Sequence, residues 1–172
     1  RTGRRGGGGA LYVRSTIQAS VCSYSADDRT YELHWVCVGS NVFVGALYHP
    51  PKAVYQTAEL LNYIEACVEE LNRDFPAAFV VLAGDLNQLH DQDLVERMGL
   101  TQIVHQPTRG ANILDRVFVS CPRYTTVRVV ASVVKSDHKA IVACTDDNKC
   151  TQPKTTYQRT YRPVTPDRHA QF

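Results

Sequence analysis

Residues 78–87 read AFVVLAGDLN: six apolar residues in succession, then Gly84, Asp85, Leu86 and Asn87. An unbroken apolar run of that length is the pattern of a strand covered on both faces. Such a strand needs a layer above it and a layer below it, so it sits inside an α/β or α+β layered domain. On its N-terminal side, Ala58, Leu61, Ile64, Val68 and Leu71 recur at three- and four-residue intervals, which predicts a long helix over residues 53–73. Pro50 and Pro51 halt the chain before that helix, and Asp74, Phe75 and Pro76 end it. On the C-terminal side, residues 91–98 predict a short helix with Gly99 as its stop.

Further out the pattern is mostly β. Residues 31–38 (YELHWVCV) and 42–48 (VFVGALY) flank the turn Gly39, Ser40, Asn41 and predict a hairpin. Residues 10–16, 114–120, 127–134 and 140–144 predict further strands, and residues 23–30 a polar loop. The sheet is expected to be mixed, because a helix joins two of the strands and hairpins join others. No repeat is visible. Three segments result: a Gly/Arg-rich entry at 1–9, a domain at 10–144 and a basic, proline-bearing linker tail at 145–172.

The chain has 172 residues, 44% hydrophobic and 21% charged, a globular composition long enough for one core and too short for two ordinary domains. No run reaches the roughly 18 apolar residues that would span a bilayer, and the start is not a signal peptide. Net charge is +2, but the body at 10–144 holds 11 bases against 14 acids while both ends are basic. That distribution argues against a simple nucleic-acid wrapper. It fits carboxylates gathered in one place, for instance around a metal, and, from charge alone, better a chain cut from something longer with solvated ends. The six cysteines, at 22, 37, 67, 121, 144 and 150, show no zinc spacing. Cys22, Cys37, Cys67 and Cys144 lie in apolar stretches and read as buried free thiols of a reducing compartment.

Four places carry candidate chemistry. Asp85 and Asn87 stand just past the apolar strand, two apart and on one side if the chain stays extended; a turn cap is the alternative. Asp137 and His138 lie in a loop between two strands, where both can face one pocket and His138 can donate a proton near neutral pH; a polar hairpin turn is the alternative. Asp115 interrupts an apolar strand and needs a partner, either His138 or a base such as Arg116. Tyr48 ends its strand, and its hydroxyl can bond a phosphate or serve as an ordinary core residue.

In chain order the motifs are GGGGALYVRS at 6–15, LYHPP at 47–51, VVLAGDLN at 80–87, LDRVFVS at 114–120 and SDHKAIV at 136–142. The series resembles the DNase I-like endonuclease/exonuclease/phosphatase superfamily, and most closely the endonuclease domain of non-LTR (LINE-type) retrotransposon polyproteins. The tail at 156–172, TYQRTYRPVTPDRHAQF, is similar to the segment joining such a domain to its reverse transcriptase. The resemblance implies an α/β fold, a layered sandwich of mixed β-sheets flanked by helices. It implies hydrolysis of a DNA phosphodiester with Mg²⁺, Mn²⁺ being an alternative, in a nicking step that primes reverse transcription. The expected location is intracellular and nuclear. Carried over by residue, Asp85 would orient or deprotonate the attacking water, and Asn87 would hold the phosphate as charge builds. His138 would contact the scissile phosphate oxygen with Asp115 as its carboxylate partner. Asp137 would serve the metal or the water, and Tyr48 would bind the phosphate from the side.

The resemblance also marks departures. Relatives carry an Asn on a first strand and a metal-binding Glu before the GGG strand. This chain begins at the GGG strand, and Glu32 lies after it, so the expectation is a domain lacking its first strands, with activity impaired by loss of that Glu. Pro51 stands where apurinic endonuclease relatives carry Asn, which argues against abasic-site specificity. Two other readings are a catalytically inactive remnant or binding module of the same fold, and a phosphodiesterase or phosphatase acting on lipids or sugars. The tail argues against the last.

Overall fold

The computed structural model describes residues 8–23 and 30–145. Its centre is the apolar run, which forms strand β4 (Phe79–Asp85) after β1 (Ala19–Cys22), β2 (Glu32–Val38), β3 (Val42–Tyr48) and helix α1 (Thr57–Asp74). Then come helix α2 (Asp91–Met98) and strands β5 (Thr101–Gln102), β6 (Asp115–Val119), β7 (Tyr124–Val130) and β8 (Ala140–Thr145). Six strands make one sheet in the order β1-β2-β3-β4-β6-β5; β7 and β8 pair as a separate two-stranded sheet. Only β3 and β4, the strands joined through α1, run parallel among the described pairs, so the six-stranded sheet is mixed as expected.

The alternation along β4 sorts two cores. Val80 and Leu82 join Phe43, Leu47 and Phe118 against Leu60, Leu61, Ile64, Cys67, Val68 and Leu71 of α1, with Leu94 and Met98 of α2 beside them. Phe79 and Val81 join Val117, Val119 and Val104 on the opposite face, against Tyr124, Val127, Val129 and Ile141 of the β7–β8 sheet. Burial of each large apolar side chain stabilises by about 1.5–3 kcal/mol relative to exposure. The layers are therefore helices, sheet and hairpin, with β4 covered on both sides. No helix among the described residues is long and apolar enough to cross a membrane.

Several boundaries differ from the sequence reading. Residues 10–16 form no strand. The chain folds at an Ile17 N–H to Arg14 carbonyl bond of 2.9 Å, and the free edge of β2 is taken by Ala19–Cys22 instead. Alternation shows a face to bury, not which ladder is open, and Tyr12 in that stretch is 95% exposed. The helix starts at Thr57, where the Gln56 N–H donates to Glu59 Oε2 at 3.1 Å, and Ala58 is exposed while Leu60 and Cys67 complete the buried stripe. Strand β7 stops at Val130, the partner of Ala140, leaving Val133 and Val134 exposed in the following loop. The short β5 was not anticipated. Helix α2 and its stop match: Gly99 takes the left-handed φ of 64°. Of the four thiols read as buried, only Cys67 is; Cys37 is half-buried near the end of β2, and Cys22 and Cys144, on edge strands, are half-buried and exposed respectively. The entry at 1–7, most of the loop at 23–30, Cys150 and the tail from 146 lie outside the described residues.

Candidate active site

Strands β3 and β4 are parallel, so both end at the same edge of the sheet, and β6, antiparallel to β4, begins there. The register puts Tyr48 opposite Asp85 and Asp85 opposite Asp115, in one row across three strands. Directly paired residues point to one face, here the face covered lower down by β7 and β8. Gly84 makes the close strand contact possible. A Cβ there would stand 1.8 Å from the Leu47 carbonyl oxygen, and its φ of 153° is one that side-chain-bearing residues rarely adopt.

His138 reaches this row from the loop before β8. Its Nδ1–H donates to Asp115 Oδ2 at 2.7 Å, and its backbone N–H donates to Ser136 Oγ at 3.1 Å. Asp85, Asp115 and His138 each offer a ligand atom, all within 4.8 Å of one another, and all three side chains are partly buried. Burial and, next, the neighbouring Asp115 charge push the Asp85 carboxyl above its usual value; hydrogen bonding from Asn87 and the His138 charge oppose this.

The other expected residues flank that centre. Asn87 is buried with a left-handed φ of 43°. Its Nδ2 donates to the His49 carbonyl at 2.8 Å, and its backbone N–H donates to Asp85 Oδ1 at 3.3 Å. Tyr48 stands beside Asp85 on β3 and is half-buried. Asp137 turns outward: its side chain is 67% exposed and pairs with Arg109 Nη2 at 2.6 Å, which holds its carboxyl below the usual range. Neighbours in the loop thus face different partners, His138 inward and Asp137 outward. Neither of two hollows beside the site takes in all five expected catalytic residues. A cavity of about 440 Å³ runs past Asp115 beneath the hairpin, and another of about 700 Å³ passes Asn87 and Arg109.

Three further residues shape the site: Thr108 and His49, which the sequence reading did not single out, and Arg116, which it named only as a possible partner of Asp115. Thr108 is fully buried, and its Oγ1 accepts the Leu114 and Asp115 N–H groups at 3.0 Å each. Its carbonyl accepts the Lys139 N–H at 2.7 Å, so one side chain and one carbonyl fix Asp115 and the His138 loop together. His49, beside Tyr48, is held mainly by burial, and then by the Arg116 charge, below its ordinary pKa; its Nδ1 meets the Tyr55 hydroxyl at 3.1 Å. Arg116 contacts the turn carrying Asn87. A threonine or histidine in a loop gives no local signal, since what it holds depends on how the loop folds back, across six or seven residues to Leu114, Asp115 and Tyr55 and further to Lys139.

The donor set suits a hard divalent cation. Mg²⁺ takes one or two carboxylates and keeps several waters or substrate oxygens. Asp85 and Asp115 supply two carboxylates side by side, and the Asp115 repulsion, which adds to burial in raising the Asp85 pKa, is what a bound cation would relieve. Asp137 stands apart from this cluster.

No curated protein matches the chain. The sequence model described as the Endonuclease/Exonuclease/phosphatase family matches residues 1–138, and the chain belongs to that family.

Proposed function

We propose that the chain is a DNA-nicking endonuclease of the non-LTR retrotransposon type, hydrolysing one phosphodiester in a Mg²⁺-supported reaction. The observation that carries the chemistry is the Asp115–His138 hydrogen bond of 2.7 Å beside Asp85 at one edge of the sheet. Asp85 accepts a proton from the attacking water or orients it. His138 contacts a phosphate oxygen, and Asp115 fixes its ring and tautomer through Nδ1. Asn87 and Tyr48 hold the phosphate from the flanks. Asp85 and Asp115 would hold Mg²⁺ or Mn²⁺, which when bound neutralises charge on the phosphate and leaving oxygen. Asp137 takes part in metal or water binding once Arg109 releases it.

The substrate assignment rests on the motifs LYHPP and GGGGALYV and on the tail, whose retrotransposon likeness also suggests a downstream reverse transcriptase and a nuclear site of action. A supercoiled-plasmid nicking assay with Mg²⁺ tests it. The expected result is slow, impaired conversion to open circles by the wild-type chain and none by Asp85→Ala or His138→Ala. Nicking unchanged in either variant overturns the site. Intact plasmid, with release of phosphate from sugar or inositol phosphates, overturns the substrate.

A further inference from the structure

Arg116 follows Asp115 on β6, and strand neighbours face opposite ways. Asp115 faces the site, and Arg116 faces the helix layer, where its side chain is 7% exposed. Nη1 donates to the Leu89 carbonyl at 2.7 Å and pairs with the Asp91 carboxylate; Nη2 donates to the Asn87 carbonyl at 2.7 Å. All three partners lie on the short segment between β4 and the first turn of α2. One guanidinium fork therefore cross-links β6 to the turn that follows Asp85.

A buried cation is a poor way to fill a core, since an apolar side chain of similar size does so as well or better. Its presence points to geometry. Asn87 adopts a left-handed backbone, uncommon for a residue with a side chain, and does so with its carbonyl on Arg116, its N–H on Asp85 and its Nδ2 on the His49 carbonyl. Of these, the Arg116 contact is the one made from the far side of the sheet. Lysine could not replace it, because an ammonium lacks the planar fork that reaches two carbonyls and a carboxylate at once.

We propose that Arg116, steadied by Asp91, is a positioning residue that sets the turn at 85–87 from the helix side and acts on the scissile phosphate only through Asn87. The proposal rests on reading the site as a phosphodiesterase centre. The test compares Arg116→Met, Arg116→Lys, Asp91→Asn, Asn87→Ala and the Arg116→Met/Asn87→Ala double variant. Two readouts are taken: the Asn87 side-chain amide signal by NMR, and kcat and KM on plasmid DNA and on bis(p-nitrophenyl) phosphate. In Arg116→Met the Asn87 amide signal moves while the distant Trp35 indole signal stays. The same variant loses about 100-fold in kcat, as a displaced catalytic group does, with KM little changed. The double variant is no slower than Asn87→Ala, since the two act as one unit. Arg116→Lys and Asp91→Asn show smaller changes of the same kind and carry the test if Arg116→Met does not fold. An unmoved Asn87 amide in a folded variant, or losses that multiply in the double variant, overturns the proposal. A wild-type chain that cleaves neither substrate overturns the phosphodiesterase reading instead, and the Asn87 amide then decides the clamp alone.

Discussion

On the helix face of the sheet, Phe43, Leu47, Val80, Leu82 and Phe118 meet Leu60, Ile64 and Leu71, none more than 2% exposed. The other face carries a smaller apolar cluster under a two-stranded cover, Phe79, Val104 and Val119 being buried and Val81 and Val117 keeping 6% and 8% exposure, and it ends in Tyr48, Asp85 and Asp115. The strand residues of both sets come from the same strands, one residue apart. Strand parity thus divides the work: one set of alternating positions supplies the larger core, and the other carries a smaller core and, at its end, half-buried charges whose mutual repulsion the packing must outweigh. Arg116 shows the division at its sharpest, a charge on the cohesive face whose partners all belong to the turn behind the site.

The comparison breaks most visibly at Asp85. Asp85→Asn is expected to lower the nicking rate by about 10²–10⁴-fold, the span for a general base, while raising the melting temperature. A carboxyl with a raised pKa favours its protonated form in the folded state, so it withdraws stability as the pH rises above 3.8. A neutral amide removes that penalty at neutral pH. Thermal unfolding run beside the nicking assay checks both halves.

The next effect compares the faces directly. Leu82→Ala, at a fully buried position of the helix face, is expected to cost about 2–5 kcal/mol, as large-to-small core changes do. Val81→Ala, one residue away under the hairpin, removes less apolar volume and is expected to cost less. Urea unfolding of the two variants gives the difference, and equal costs would deny that the faces differ.

Asn87→Ala strips a side-chain hydrogen bond from the buried His49 carbonyl and is expected to cost about 1–3 kcal/mol. The smallest effect is a pH dependence. Burial and Arg116 hold the His49 pKa below 6.5, so the folded state favours the neutral ring. Its contribution is complete above pH 6.5 and is lost as the pH falls through the lower folded value. Stability of the wild-type chain is expected to decline in that window, and His49→Gln to flatten the decline in a pH series of melting curves.

Much of this was legible because local patterns carry it. The unbroken run at 79–82 announced a doubly covered strand, and the 3.6-residue stripe announced α1. Gly99 announced the end of α2. Asp85, Asp115 and His138 could be named from motif order; the meeting of the two carboxylates follows from register, and His138 joins them from the loop before β8. What was illegible depends on partners far along the chain. Residues 10–16 alternate like a strand, but β2 pairs with 19–22. Asp137 sits beside His138 in sequence, yet Arg109, 28 positions earlier, draws it outward. Arg116 stood as one of two candidate partners for Asp115; the strand turns it to the opposite face, and His138 takes the carboxylate.

The central claim is that Asp85, Asp115 and His138 form one hydrolytic centre. It is tested most directly by the Mg²⁺-dependent nicking rate of His138→Ala beside wild type, with melting curves for both. The expected result is a loss of about 10²–10⁴-fold with a lowered melting temperature, because Asp115 loses its 2.7 Å partner, in a chain that still folds at the assay temperature. A His138→Ala chain that nicks at the wild-type rate would contradict it.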